Sequence, residues 1–142
     1  MPDRCTYDYA IVRVVPRVER GEFVNVGAIV SSDAERYLAA RFAVDEARLL
    51  ALDPHVDVKA VRTALDAIAA VCAGGAAAGA IGRLPLRERF HWLVAPRSTV
   101  IQTSAVHTGR CLVLADVLGH LLEKMVVPLA PSPPSPLLPP SP

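Results

Sequence analysis

Two stretches near the start of the chain, residues 7–15 (YDYAIVRVV) and 22–31 (EFVNVGAIVS), are apolar on both faces a strand presents. Side chains alternate across a strand with a period of two. In the second stretch Val24, Val26, Ala28 and Val30 share one face, and Phe23, Asn25, Gly27 and Ile29 the other. In the first, Val12 and Val14 lie opposite Tyr9, Ile11, Arg13 and Val15. A sheet with one wet face alternates apolar and polar residues, so these strands belong in the middle of a sheet covered on both sides. Their β-branched and aromatic content favours extended chain. PRVERG between them, closed by Gly21, suits a hairpin loop, and SSDAER leads to a third strand over 37–42.

Helical signals follow. Asp45 opens a short helix over 45–52, which Asp53-Pro54 breaks because the residue before proline disfavours the α region. Asp57 caps a longer helix in which Val58, Val61, Leu65, Ile68 and Cys72 recur on one face, and Gly74-Gly75 end it. AAAGAIG is a flexible or closely packed link. Over 85–94, Pro85 and the spacing of Leu86, Phe90 and Leu93 predict a helix, with strand alternation competing. A strand over 99–106 ends at the turn His107-Thr108-Gly109. A final helix over 112–126 buries Leu114, Val117, Leu118, Leu121, Leu122 and Met125. The order β-β-β-α-α-α-β-α describes an α+β fold, a mainly antiparallel sheet of about four strands with helices packed on it.

The 142 residues allow one domain, placed at 6–127. From Pro128 on, more than half the residues are Pro and none is charged, so 128–142 reads as a disordered proline-rich tail. Its PxxP spacings lack flanking Arg or Lys, which weakens an SH3-ligand reading. Charged residues make up 20% and hydrophobic residues 52%, a globular balance. The net charge of +1 argues against a polyanion binder. All 15 cations but Lys59 and Lys124 are Arg. That bias suits carboxylate or phosphate recognition, since Arg presents a planar fork of donors; with the Ala, Pro and Val excess, the favoured reading is a GC-rich coding sequence. Cys5, Cys72 and Cys111 are odd in number and widely spaced, fitting neither a disulfide framework nor a zinc knuckle. No apolar stretch follows the N-terminal charges, and the longest uncharged run before the tail, 67–82, is shorter than the ~20 residues of a membrane helix. The expectation is a cytoplasmic protein with no membrane association, no metal and no cofactor.

No catalytic signature is present. The Gly-rich AGGAAAGAIGRL has Gly82-Arg83 where a phosphate-binding loop needs Gly-Lys-Ser/Thr. There is no GxSxG and no HExxH. His107 and Cys111 straddle a Gly-containing turn and read as a surface His beside a core thiol. Two constellations remain. Arg13 and Asn25 are the sole strongly polar residues inside their strands. If odd positions pair with odd, they share a face, and Gly27 leaves space beside them. Arg13 pairing with Asp8 or Glu22 is the structural reading, and a polar floor for an anionic ligand is the functional one. The second is 83–107, where Arg83, Arg87, Arg89, His91 and Arg97 are offset by Glu88 alone and surround Trp92, the only Trp. Ser98, Gln102, Ser104, His107 and Thr108 follow. Arg with hydroxyl donors holds phosphate, and Trp anchors a partner or stacks on a base. A solvated helix face with Trp92 in the core is the plain alternative. The candidate binding residues are therefore Arg13, Asn25, Arg89, Trp92, Arg97, Ser98, Gln102, Ser104 and His107.

Three segments, YDYAIVRVVPRVERGEFVNVGAIV at 7–30, RERFHWLVAPRSTVIQTS at 87–104 and VHTG at 106–109, together resemble a family of small bacterial proteins known as domain of unknown function 3037. The similarity spans most of 6–127 and leaves the tail outside. It implies no activity and no catalytic residue. It does imply company, since members look like small partners encoded beside a HipA-like kinase. A non-catalytic accessory or regulatory protein-binding module is the leading expectation. A small enzyme or ligand-binding protein for an anionic or phosphorylated molecule, with Arg13, Asn25, Arg97, Ser98, Gln102 and His107 converging in one pocket, is the alternative. Nucleic-acid binding comes third.

Overall fold

In the computed structural model, which describes residues 4–129, β1 (Cys5–Val14) runs through the middle of an antiparallel sheet. On one side it pairs with β2 (Val24–Ser32), which pairs in turn with β3 (Tyr37–Phe42). On the other side lie two short strands. β4 (Ile101–Thr103) pairs with residues 12–14 of β1, and β5 (His107–Cys111) with residues 5–9. The proline-rich segment expected over 128–142 lies, beyond Leu129, outside the described residues.

The strand expected over 99–106 is thus shorter, and the expected turn at His107-Thr108-Gly109 is itself strand. Ser104 is the physical reason. Its amide donates to the Ile11 carbonyl at 2.8 Å, and its Oγ accepts from the Ile11 amide at 2.9 Å. A side chain replaces a main-chain partner there, and the register advances by one residue between Val12↔Thr103 and Tyr9↔His107.

A second irregularity lies on the other side of β1. Val12 faces Gly27 while Arg13 faces Asn25, so β2 bulges at Val26. The unbroken face expected for Val24, Val26, Ala28 and Val30 is split by it. Val24, Val26 and Ile29 join Val12 and Val14 on one side of the sheet; Ala28 and Val30 join Ile11 on the other. Both faces are apolar, as the sequence requires, but the bulge exchanges which residues serve which face.

Helices cover both sides. α1 (Glu46–Leu52), α2 (Val58–Ala73) and α4 (Leu86–Val94) pack Leu49, Val61, Leu65, Ile68, Phe90 and Leu93 onto the first face. The one-turn α3 (Gly79–Gly82) joins α2 to α4. α5 (Val117–Met125) packs Val117, Leu118, Leu121 and Leu122 onto the second. Each such side chain, fully buried, contributes roughly 1.5–3 kcal/mol. The Asp45 carboxylate accepts from the Arg48 amide at 3.1 Å, and Asp57 from the Ala60 amide at 3.0 Å, so both expected caps form. Helix prevails over strand at 85–94. α5 starts later than expected, because residues Leu114–Asp116 form a separate 3-10 turn. The fold is α+β. Among the described residues no helix is long and apolar enough to cross a membrane.

Candidate functional site

Trp92 is not in the core. On α4 the buried positions are Phe90 and Leu93, which turns the indole outward, 40% exposed. The chain then bends at Pro96 and returns Arg97 over it. The Arg97 guanidinium carbon lies 4.3 Å from the indole ring centre, and its NH2 group donates to the Trp92 carbonyl at 2.6 Å. The stacked pair borders a groove of about 470 Å³. Ala64, Ala67, Ile68 and Val71 recur at i, i+3, i+4 and i+7, so they form one stripe of α2 that makes its wall. Val100 and Ile101 close the far side, and Val100 is itself exposed.

On the opposite face of the sheet, Asn25, Arg13 and Gln102 form a row across β2, β1 and β4. Asn25 Nδ2 donates to the Met125 carbonyl at the end of α5, 3.1 Å away. Arg13 stacks on Phe23, with its guanidinium carbon 4.1 Å from the ring centre. Neither expected ion pair forms. Asp8 accepts from the Thr108 hydroxyl at 2.7 Å, and Glu22 pairs with Arg20. The space expected beside Gly27 is filled by the Phe42 ring, which lies 2.3 Å from where a Cβ would be. Among the described residues, Arg13 Nε and Asn25 Oδ1 are buried without a hydrogen-bond partner.

Of the remaining candidates, Arg97, Gln102 and Ser104 line one shallow pocket of about 360 Å³ beside Pro96 and Val106, and the others lie apart from it. Arg89 turns inward and donates to the carbonyls of Val71 and Cys72 at 2.8 Å and of Leu84 at 3.0 Å, closing the C-terminal end of α2. Ser104 is consumed by the β4–β5 junction. Gln102 turns its amide to the Thr99 carbonyl at 2.9 Å. Ser98 is exposed between α4 and β4. His107 stacks on Tyr9, ring centres 5.4 Å apart. Arg13, Asn25, Arg97, Ser98, Gln102 and His107 therefore do not converge in one pocket. The basic run 83–97 is also not one basic face, since Arg89 is held inside and Arg97 lies on the indole. The Gly-rich link is closed on itself by Gly75 N donating to Gly82 O at 2.8 Å, which leaves no phosphate cradle.

The groove and the polar row both fall within residues 9–126, which match the model of the family described as "Protein of unknown function (DUF3037)". The chain belongs to that family. No curated protein and no solved structure matches it.

Sequence reasoning missed one feature of this DUF3037 chain. α5 lies over β2 and β3 and leaves the β1–β5 end of the second face open. A trough of about 550 Å³ results, floored by Tyr7 and Tyr9 and rimmed by Arg110, His120 and Lys124, with Asp116 as its acid. Tyr7 lies across Gly109, where any side chain would collide with its ring. Burial, then Cys111 and Tyr9, push the Tyr7 hydroxyl above its usual range. The alternation Cys5-Tyr7-Tyr9 was legible in the sequence; the placement of α5 was not. Among the described residues no group of three or more His, Cys, Asp or Glu side chains is placed to hold a metal ion.

Proposed function

We propose that this DUF3037 protein is a non-catalytic accessory module that docks a partner protein through the Trp92 groove. The observation that carries this reading is an exposed indole held in one orientation by Arg97 at the rim of an apolar groove. Trp and Arg dominate interface hot spots, and a pre-ordered pair loses little side-chain entropy on binding. The matching partner presents an apolar side chain to the groove and a carboxylate to the Arg97 guanidinium. Because members of the resembled family look like partners of a HipA-like kinase, such a kinase is the first partner to test.

The test is co-expression with that kinase followed by size exclusion. Co-elution of the wild-type chain, lost in Trp92→Ala and Arg97→Ala variants that melt as the wild type does, supports docking at this groove. Absence of co-elution, or variants that co-elute as the wild type does, removes the reading.

A second reading rests on the unpartnered Arg13 Nε and Asn25 Oδ1. The Arg13 donor suits the anionic group of a small phosphorylated ligand, and the Asn25 acceptor suits a hydroxyl of the same ligand. Such a ligand raises Tm in proportion to ln(1 + [L]/Kd). Phosphorylated nucleosides and sugars that leave Tm unchanged in the wild type, or shift Arg13→Ala equally, count against it.

A further inference from the structure

The β1–β5 ladder places Cys111 directly opposite Cys5. Almost the whole domain separates the two in sequence, and strand pairing alone makes them neighbours. Directly opposed residues on antiparallel strands point to the same face, with Cα atoms about 4.5–5.5 Å apart. A disulfide spans Cα separations of about 4.4–6.8 Å. Both are free thiols, and both are partly accessible.

The backbone also says which kind of pair this is. Ile11, on the same alternation as Cys5, turns its amide and its carbonyl to Ser104. Cys5 therefore turns its own toward Cys111, which makes this the wider, hydrogen-bonded pair type. A disulfide across such a pair carries strain, and strained disulfides are the readily reduced ones. Cys111 also lines the trough beside Tyr7, where two cations, Arg110 and Lys124, face one acid, Asp116. Burial, followed by the adjacent Cys5, holds the Cys111 thiol above its usual range. Its oxidation therefore quickens as pH rises and thiolate appears.

We infer that Cys5 and Cys111 form a reversible redox dithiol, oxidised by an anionic low-molecular-weight disulfide that the trough admits. The Cys111 thiolate attacks one sulfur of the disulfide RS–SR. A mixed disulfide forms, and the released RS⁻ takes up the proton that Cys111 lost. The Cys5 thiolate then attacks the Cys111 sulfur, forms the Cys5–Cys111 bond and expels the second RS⁻, which is protonated by the proton from Cys5. Two electrons pass to the oxidant, which leaves as two thiols.

The full chain incubated with oxidised glutathione tests this. Thiols counted after unfolding fall from the three of the reduced chain to one, and peptide mapping finds Cys5 joined to Cys111 with Cys72 free. The oxidised form melts on the order of 10 °C higher, because the bond closes a loop of nearly the whole domain in the unfolded chain. Dithiothreitol reverses both changes. Cys5→Ser, with Cys5→Ala as a second variant, stops at the glutathione adduct on Cys111 and gains no Tm. Neutral 2-hydroxyethyl disulfide oxidises the wild type more slowly than glutathione disulfide does. Three surviving thiols in the wild type, or a mixed disulfide that Cys5 never resolves, overturn the dithiol. Equal rates with the neutral and anionic disulfides overturn the part played by the trough.

Discussion

Arg13 faces Asn25 across β1 and β2, whereas its neighbour Val12 faces Gly27, so Val26 stands unpaired between two registers. This one-residue offset sets both polar side chains on the α5 side, where Asn25 reaches the Met125 carbonyl. It also returns Val24 and Val26 to the side of the sheet covered by α1, α2 and α4. Arg13 Nε and Asn25 Oδ1, buried without a partner among the described residues, are costly beside an apolar layer. The bulge sets them at the end of that layer, beside the C-terminus of α5 and the Phe23 ring.

Gly27 is where this strand has no tolerance. A Cβ there would lie 2.3 Å from Phe42 Cδ1 and 2.6 Å from the Arg41 carbonyl oxygen. Gly27→Ala is expected to cost about 2 kcal/mol, read as a lower urea midpoint at unchanged slope. Adding Phe42→Ala relieves only part of this, because the Arg41 contact is main chain. An unaltered midpoint in the single variant would mean that β2 and β3 separate freely at this point.

Arg89 holds the C-terminal end of α2 by bonds to two of its carbonyls, Val71 and Cys72, and to the Leu84 carbonyl ahead of α4. Arg89→Met keeps its apolar stem and removes those donors, with an expected loss of about 2–3 kcal/mol in chemical denaturation. Arg89→Lys recovers little of it, since a single ammonium cannot reproduce the planar fork. If Lys restores full stability, charge rather than geometry sustains the helix end.

Burial pushes the Cys72 thiol from 9.0 up to about 12, against a smaller lowering by Arg89. The folded protein therefore favours the neutral thiol. The stability this contributes is complete below pH 9 and is lost as pH rises from there toward 12. Between pH 8 and pH 10 the wild type should lose about 1 kcal/mol more stability than Cys72→Ala. Parallel urea titrations at the two pH values give the comparison; equal losses would show that the thiol reaches solvent.

Trp92 is the only Trp, so its emission reports on the Arg97 stack alone. Arg97→Ala is expected to shift that emission to the red and to raise quenching by iodide. Docking of a partner in the groove shifts it to the blue. An Arg97→Ala spectrum identical to wild type would indicate that the stack is not populated in solution.

Much of the fold was legible because its signals are local. Asp45 and Asp57 announce their helices by hydrogen bonds reaching three residues ahead. The two-faced strands announce a sheet covered on both sides. The candidate residues were less legible, because type and spacing do not say where a side chain points. Arg89 and Arg97 stand in one basic run, yet one closes a helix inside the protein and the other covers an exposed indole. Trp92 could be core or surface until Phe90 and Leu93 took the inward positions of α4.

The sequence by itself determined the first three strands, the caps and the need for two covering layers, since each depends on neighbours a few residues away, and it left helix and strand competing over 85–94. The tertiary structure alone decided the bulge at Val26, the break at Ser104, the reach of α5 and the meeting of Cys5 with Cys111. Those depend on register between distant strands, where a one-residue offset moves every later side chain to the other face. The energy that chooses the offset comes from packing on both faces of the sheet at once, which no window of sequence contains.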